Sequence, residues 1–202
     1  MIRPIILHPD SRLKKKAVNV ENIDDSLISL ADDMMETMYD APGIGLAAPQ
    51  IGILERLIVM DCAKKEDENP DPFIMINPTI TSSSEEKNVY EEGCLSIPEH
   101  SAEITRPELI QVEWVDLEGK QHTKEFNGLK STCVQHEIDH LNGKLFIDYL
   151  GPVKRQLITR KMQKFKREKL RGEELCRLKI FLSGPTRDFV LKRKLWLKLL
   201  MT

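Results

Sequence analysis

Two amphipathic helices bracketing a run of short strands predict a fold of mixed α and β elements. One helix is marked over residues 24–41, the other begins near Leu129, and a hairpin over 109–126 lies between them. The 202 residues suit one domain, or one domain plus an appendage. Hydrophobic residues make up 41% and charged residues 31%, the balance of a globular protein, which excludes a disordered chain, a collagen and a disulfide-dense scaffold.

The elements follow in chain order. Asp24 or Asp25 can cap the first helix by accepting from free backbone N–H groups. Leu27, Leu30, Ala31, Met34, Met35 and Met38 then recur three and four apart and give it one apolar face, which reads as core. Pro42 and Gly43 stop it. Residues 43–50, Gly-Ile-Gly-Leu-Ala-Ala-Pro-Gln, read as a loop of small residues that lets a ligand approach the backbone. Arg56–Met60 and Phe73–Ile76 read as strands, with a polar surface loop over 64–71 and a polar turn at 82–87. Leu109–Asp116 alternates, with Ile110, Val112 and Trp114 on one side, and Gln121–Phe126 pairs back on it after a turn at Leu117–Lys120. Asn127-Gly128 leads into the second helix, and Asn142-Gly143 ends it.

Charge is divided unevenly. Residues 151–202 carry 16 Lys/Arg against 4 Asp/Glu, a net of +12, while residues 1–150 carry a net of −14. That division marks a body with a basic interaction tail or a solvated basic helix, and an exposed positive cluster suits polyanions such as phosphate backbones. There is no run of 18 apolar residues, and the first residues lack the features of a signal or transit peptide, so the expected compartment is the cytoplasm. In that reducing setting Cys62, Cys94, Cys133 and Cys176 read as free thiols or metal ligands.

Residues 136–140 read His-Glu-Ile-Asp-His. Positions i and i+4 of a helix share a face, so His136 and His140 can present two imidazoles to one metal. Glu137 beside them can take a proton from a metal-bound water. The bare pattern also arises by chance. Here, however, Leu129 and Cys133 extend the histidine face, and Val134, Ile138 and Leu141 make a second apolar face, so the helix belongs inside the fold. Two buried histidines without a metal would leave imidazole nitrogens unsatisfied. A catalytic site needs a third ligand and an open position. Downstream, residues 144–154 offer only Asp148; upstream, Glu91-Glu92-Gly93-Cys94-Leu95-Ser96 supplies a thiolate, a soft donor suited to iron(II) or zinc.

Three segments together resemble one family. Gly43-Ile44-Gly45-Leu46-Ala47-Ala48-Pro49-Gln50, Glu92-Gly93-Cys94-Leu95-Ser96 and Gln135-His136-Glu137-Ile138-Asp139-His140-Leu141 are similar, in order and spacing, to the three motifs of peptide deformylases. The resemblance covers roughly residues 1–170. It implies an α+β fold in which antiparallel β-sheets surround the central metal-binding helix, with a C-terminal helix after it. It implies hydrolysis of the N-formyl group from formyl-methionine at the start of new polypeptides, with release of formate. Carried over by motif, Cys94, His136 and His140 bind the metal, and Glu137 is the general acid/base toward a metal-bound water that attacks the formyl carbon. Gln50 and the Leu95 N–H face the carbonyl oxygen. The family's native metal is Fe(2+), for which Zn(2+), Ni(2+) or Co(2+) can substitute. Ile44, Tyr90, Leu129, Cys133 and the His136 ring would line the methionine pocket, the main chain at Gly45 would pair with the substrate peptide, and Glu92 would pair with Arg106.

The chain departs from the family pattern at Thr132, where an aliphatic residue is common, and at Ser101, where several members carry an arginine near the cleft rim. The expected organisation is a catalytic domain over 1–150, a basic C-terminal helix of the same domain over 151–172, and a basic amphipathic extension of unknown role over 173–202. In the helix, Val153, Leu157, Ile158, Met162 and Phe165 form a stripe with Lys/Arg opposite. The expected partners are nascent formyl-methionyl polypeptides and, through the basic helix, the ribosome near its exit tunnel, with the chain acting as a monomer. Ser183-Gly184-Pro185 breaks the tail, and 189–200 reads as a basic amphipathic segment that lies on a membrane surface, docks on the body or stays partly disordered. Two other functions compete: a metallopeptidase of the H-E-x-x-H type, and a non-catalytic ribosome-associated protein.

Overall fold

The computed structural model describes residues 1–63 and 69–183, with side chains to residue 172. The element order is α1 (Asp25–Asp40), β1 (Gly45–Ala47), β2 (Leu57–Met60), β3 (Phe73–Ser83), β4 (Lys87–Cys94), β5 (Ile97–Pro107), β6 (Leu109–Val115), β7 (Gln121–Asn127), α2 (Gly128–Leu141) and α3 (Pro152–Ser183). Short 3-10 turns stand at Ser11–Lys14, Ala48–Ile51 and Phe146–Tyr149. The chain divides into two units, one over Met1–Met162 and a second from Gln163 onward.

The first unit is an α+β fold built on a five-stranded antiparallel sheet in the order β1-β2-β3-β6-β7, with a separate antiparallel pair β4-β5. Strand β2, Leu-Ile-Val-Met, is buried on both faces, which explains its unbroken apolar run. Leu57 and Val59 pack with Leu27, Ala31, Met34 and Met38 of α1. Ile58 and Met60 face the other way, into a cluster with Val134, Ile138 and Leu141 of α2. Helix α2 therefore sits inside the fold, and Ser131–Ile138 are buried without a break. Helix α1 starts where Asp24 accepts from Ser26 N and Leu27 N at 3.0 Å each, satisfying two orphan donors of the first turn.

Several elements differ from the sequence reading. The small-residue segment 43–50 is a short strand followed by a 3-10 turn, not a loop throughout. Strand β3 runs to Ser83 rather than ending at Ile76. Strands β4 and β5 form a hairpin whose buried face includes Ala102, Ile104 and Arg106. On α3 only Ile158 and Met162 of the predicted stripe are buried; Val153 is 81% and Leu157 54% exposed. The first sits only one residue into the helix, and the second lies about a third of a turn from Ile158, off the inward line.

The second unit continues α3 across Gly172 to Ser183, and among its described side chains Lys164 pairs with Glu168 at 3.7 Å. The side chain of Cys176, residues 64–68, and the break and amphipathic segment read after Ser183 lie outside the described residues. Among those described, no helix is long and apolar enough to cross a membrane.

Candidate active site and metal centre

Three elements converge. Helix α2 supplies His136, Glu137 and His140; the end of β4 supplies Cys94; and the 3-10 turn after β1 supplies Gln50. The register of β4 and β5 shifts between Gly93, opposite Ser101, and Cys94, opposite Ile97, an irregularity that breaks regular pairing where the cysteine is presented. The ligand atoms of Cys94, His136 and His140 lie within 4.8 Å of one another. Cys94 Sγ is 3.2 Å from His140 Nε2, and the two imidazole rings stand at 73° with centroids 5.0 Å apart.

The donor set fits a cation. His136 Nδ1 is taken by Glu92 Oε2 at 2.8 Å, so Nε2 is the ring nitrogen left for a ligand. Burial pulls the His136 imidazole down, but hydrogen bonds to Cys94 and Glu92 outweigh it and hold a proton there well above the usual histidine range. The same field that holds that proton favours a metal ion in its place. His140 is pushed well below its ordinary value by burial and by His136, which keeps it a neutral imidazole able to ligate.

Glu92 is fixed from behind. Arg106 donates to its two oxygens from Nε at 2.6 Å and Nη2 at 3.0 Å, and both residues are buried. Burial raises the Glu92 carboxyl, yet His136 and Arg106 bring it below its ordinary value. Arg106 also donates from Nη1 to Asp139 Oδ2 at 2.8 Å, and Tyr149 OH donates to the same oxygen at 2.8 Å. Asp139 and Tyr149 extend this network beyond the residues singled out in sequence. The signal for Asp139 was its place inside the helix motif; nothing local marked Tyr149.

Glu137 is 4% exposed, and its Oε2 has no hydrogen-bond partner among the described residues. Burial raises its carboxyl to about 7. Its position depends on Gly45: a Cβ there would fall 2.4 Å from Glu137 Oε1 and 2.9 Å from Cys133 Sγ. Gln50 Oε1 accepts from Ala47 N at 2.8 Å, which turns its Nε2 toward Cys94 Sγ at 3.6 Å and Ser96 Oγ at 3.3 Å. Ser96, fully buried, thus orients the amide and was not singled out in sequence.

These groups open onto a cleft of about 360 Å³ lined also by Ile44, Tyr90, Leu95, Leu129 and Cys133. Ile44 and Leu129 are 43% and 38% exposed, so an apolar wall faces the opening, while Cys133 is buried and donates to Ile44 O at 3.5 Å. Thr132 and, on β5, Ile97, Pro98, Glu99 and His100 also line the cleft.

A buried carboxylate beside three converging ligands in an apolar cleft is suited to metal-assisted hydrolysis. Comparison with known proteins agrees. The family described as polypeptide deformylase matches residues 2–156. A peptide deformylase of Rhizobium meliloti is 56% identical over 163 residues, covering 81% of this chain and 93% of its own. One from Mesorhizobium japonicum is 51% identical over 172 residues, covering 85% and 97%. The crystal structure of a peptide deformylase from Legionella pneumophila superposes with a TM-score of 0.77 at 47% identity, over 85% of this chain and 99% of that one. The Ehrlichia chaffeensis peptide deformylase, solved in complex with actinonin, gives 0.79 at 39% identity, over 82% and 98%. Identical to two such enzymes at more than half of the aligned positions over nearly their whole length, the chain belongs to the peptide deformylase family of hydrolases.

Proposed function

We propose that this chain removes the N-formyl group from the formyl-methionyl end of new polypeptides, consuming one water and releasing formate and a free amine. The observation that carries the reading is the unpartnered, buried Glu137 Oε2 beside the converging Cys94, His136 and His140. Those three residues would hold a divalent cation, Fe(2+) in the cell, with Zn(2+), Ni(2+) or Co(2+) able to replace it. Bound there, a divalent cation supplies Lewis acidity, making water a competent nucleophile near pH 7 and polarising a carbonyl.

The chain's own residues do the rest. Glu137 Oε2 accepts the proton of the water that attacks the formyl carbon, then delivers it to the departing amine nitrogen as the C–N bond breaks. Burial, which raises this carboxyl above its ordinary range, favours its holding the proton between the two halves of that exchange. Gln50 Nε2 and the Leu95 N–H donate to the carbonyl oxygen as it gains charge; loss of one such donor typically costs about 10²–10³ in rate. Ile44, Tyr90, Leu129 and Cys133 receive the methionine side chain, and the main chain at Gly45 pairs with the peptide. Glu92, gripped by Arg106, holds His136 in one tautomer and orientation.

Anaerobic purification followed by metal analysis and a formate-release assay on one sample tests the reading. Formate from formyl-Met-Ala with no cleavage of Met-Ala is the expected result. Cleavage of the Met-Ala bond would mark a metallopeptidase, and no reaction on either would mark a non-catalytic relative.

The Lys/Arg-rich face of α3 is read as a docking surface for ribosomal RNA or its proteins near the exit tunnel. Replacing the exposed Lys164, Arg167 and Lys169 by Gln weakens ribosome co-sedimentation in low salt on this reading. Unchanged binding would remove the proposal.

A further inference from the structure

We propose that Tyr149 is a positioning residue of the metal centre: its ring and hydroxyl keep Arg106 seated on Glu92, and through Glu92 and His136 they set how long a bound cation stays. The inference rests on the reading that Cys94, His136 and His140 hold a divalent cation, and it adds to that reading a residue that touches neither the ligands nor the cleft.

Tyr149 closes the 3-10 turn Phe146–Tyr149. Phe146 and Ile147 of that turn are buried, and Leu145 N donates to Asp148 Oδ2 at 2.8 Å, so the turn is pinned from inside. The tyrosine itself is 42% exposed, yet it meets a guanidinium whose residue is only 4% exposed. Arg106 Cζ lies 4.9 Å from the ring centroid, within the range of a cation–π contact. Lys144 Nζ lies 3.9 Å from the same centroid. The hydroxyl closes a triangle. It accepts from Arg106 Nη1 at 3.2 Å and donates to Asp139 Oδ2 at 2.8 Å, and Nη1 also donates to that oxygen at 2.8 Å.

The triangle is the outer end of a line that runs inward. Arg106 grips Glu92 through Nε and Nη2, Glu92 Oε2 meets His136 Nδ1, and His136 Nε2 is left for the cation. Each link is electrostatic and gains strength from being shielded from water. Arg106 serves two carboxylates, Glu92 and Asp139. By donating to Asp139, the tyrosine hydroxyl supplies part of what that carboxylate needs and leaves more of the guanidinium to Glu92. By covering the guanidinium, the ring keeps water off it. Without the ring, water reaches Arg106, screens its pull on Glu92 and loosens His136. Replacing a group that orients a metal-bound histidine from behind typically costs about 10–100-fold in metal affinity.

The test follows zinc release from the zinc-loaded full chain into an excess of coloured chelator. Tyr149→Leu loses both ring and hydroxyl and should release zinc about 10–100-fold faster than the parent. Tyr149→Phe keeps the ring and removes only the hydroxyl, so its release should be faster by about two- to tenfold, the worth of one hydrogen bond. The cobalt-loaded chain gives a readout that a mere loss of stability does not move. Its visible absorption bands shift in Tyr149→Leu and return toward the parent in Tyr149→Phe, while far-UV circular dichroism stays that of the parent. Parent-like zinc release from both variants, or cobalt bands unmoved in Tyr149→Leu, overturns the inference and leaves the metal reading intact. A parent chain that retains neither zinc nor cobalt overturns the reading beneath it.

Discussion

Gly45→Ala is the sharpest test of how the backbone positions the reacting groups. The added Cβ would lie 2.4 Å from Glu137 Oε1, 3.0 Å from Glu137 Cδ and 2.9 Å from Cys133 Sγ. Ordinary non-bonded separations between heavy atoms are about 3.5 Å, so the Glu137 carboxyl must retreat by about 1 Å. A displacement of about 1 Å at a reacting group can cost about 10²-fold in rate. We therefore expect kcat for formate release to fall about a hundredfold. The cost in stability is about 1–3 kcal/mol, the usual range for overpacking a filled interior. The three heavy atoms nearest this methyl group belong to Glu137 and Cys133 and not to Cys94, His136 or His140, so metal content is expected to stay that of the parent. Gly151→Ala is the control, because a Cβ there meets nothing within 4 Å. The assay couples formate to a dehydrogenase and measures metal on the same samples. A Gly45→Ala enzyme with kcat within about threefold of the parent would refute the positioning argument, since typical general-base contributions are about 10²–10⁴.

Three other outcomes follow from the same geometry. Glu137→Gln keeps the metal and loses about 10²–10⁴ in kcat, read by the same coupled assay and metal analysis; parent-like turnover would take Glu137 out of the mechanism. Arg106→Leu leaves Glu92 buried beside His136 without its cation, and urea unfolding should show a loss of about 3–5 kcal/mol, whereas a change below about 1 kcal/mol would mean the pair is not buried as described. Burial and the hydrogen bond to Asp61 push the Tyr39 phenol up to about 12. Because the folded value lies above the unfolded one of about 10, the bond's contribution is present below about pH 10 and lost as pH rises toward about 12. Tyr39→Phe should therefore lower stability at about pH 8 and flatten its decline above about pH 10; an unchanged slope would contradict this.

Helix α2 was legible because its chemistry and its burial are written in the same fourteen residues. The i, i+4 histidines and the second apolar face of Val134, Ile138 and Leu141 both follow from helical periodicity. Cys94 was different. It lies 46 residues from His140, and no local spacing joins them; the thiolate's chemistry made it a candidate, and the three motifs in order gave it a place. The β4–β5 hairpin went unread because Arg106 occupies its inward face and charged residues crowd its outward one, which blurs the alternation. Arg106 belongs inward only because Glu92 and Asp139 wait there, a pairing that spans distant segments. Ser96 and Tyr149 were missed for the same reason, since each acts on a partner from another element. Val153 and Leu157 show the converse: apolar spacing marked a stripe, but only Ile158 and Met162 meet the core.

Cys94, His136 and His140 are proposed to hold one metal ion. X-ray absorption of the zinc-loaded chain tests it directly. One sulfur at about 2.3 Å and two imidazole nitrogens at about 2.0–2.1 Å are expected, with the sulfur signal and tight binding lost in Cys94→Ala. A zinc shell of nitrogen and oxygen alone in the parent, or one unchanged by removing the thiol, would contradict it.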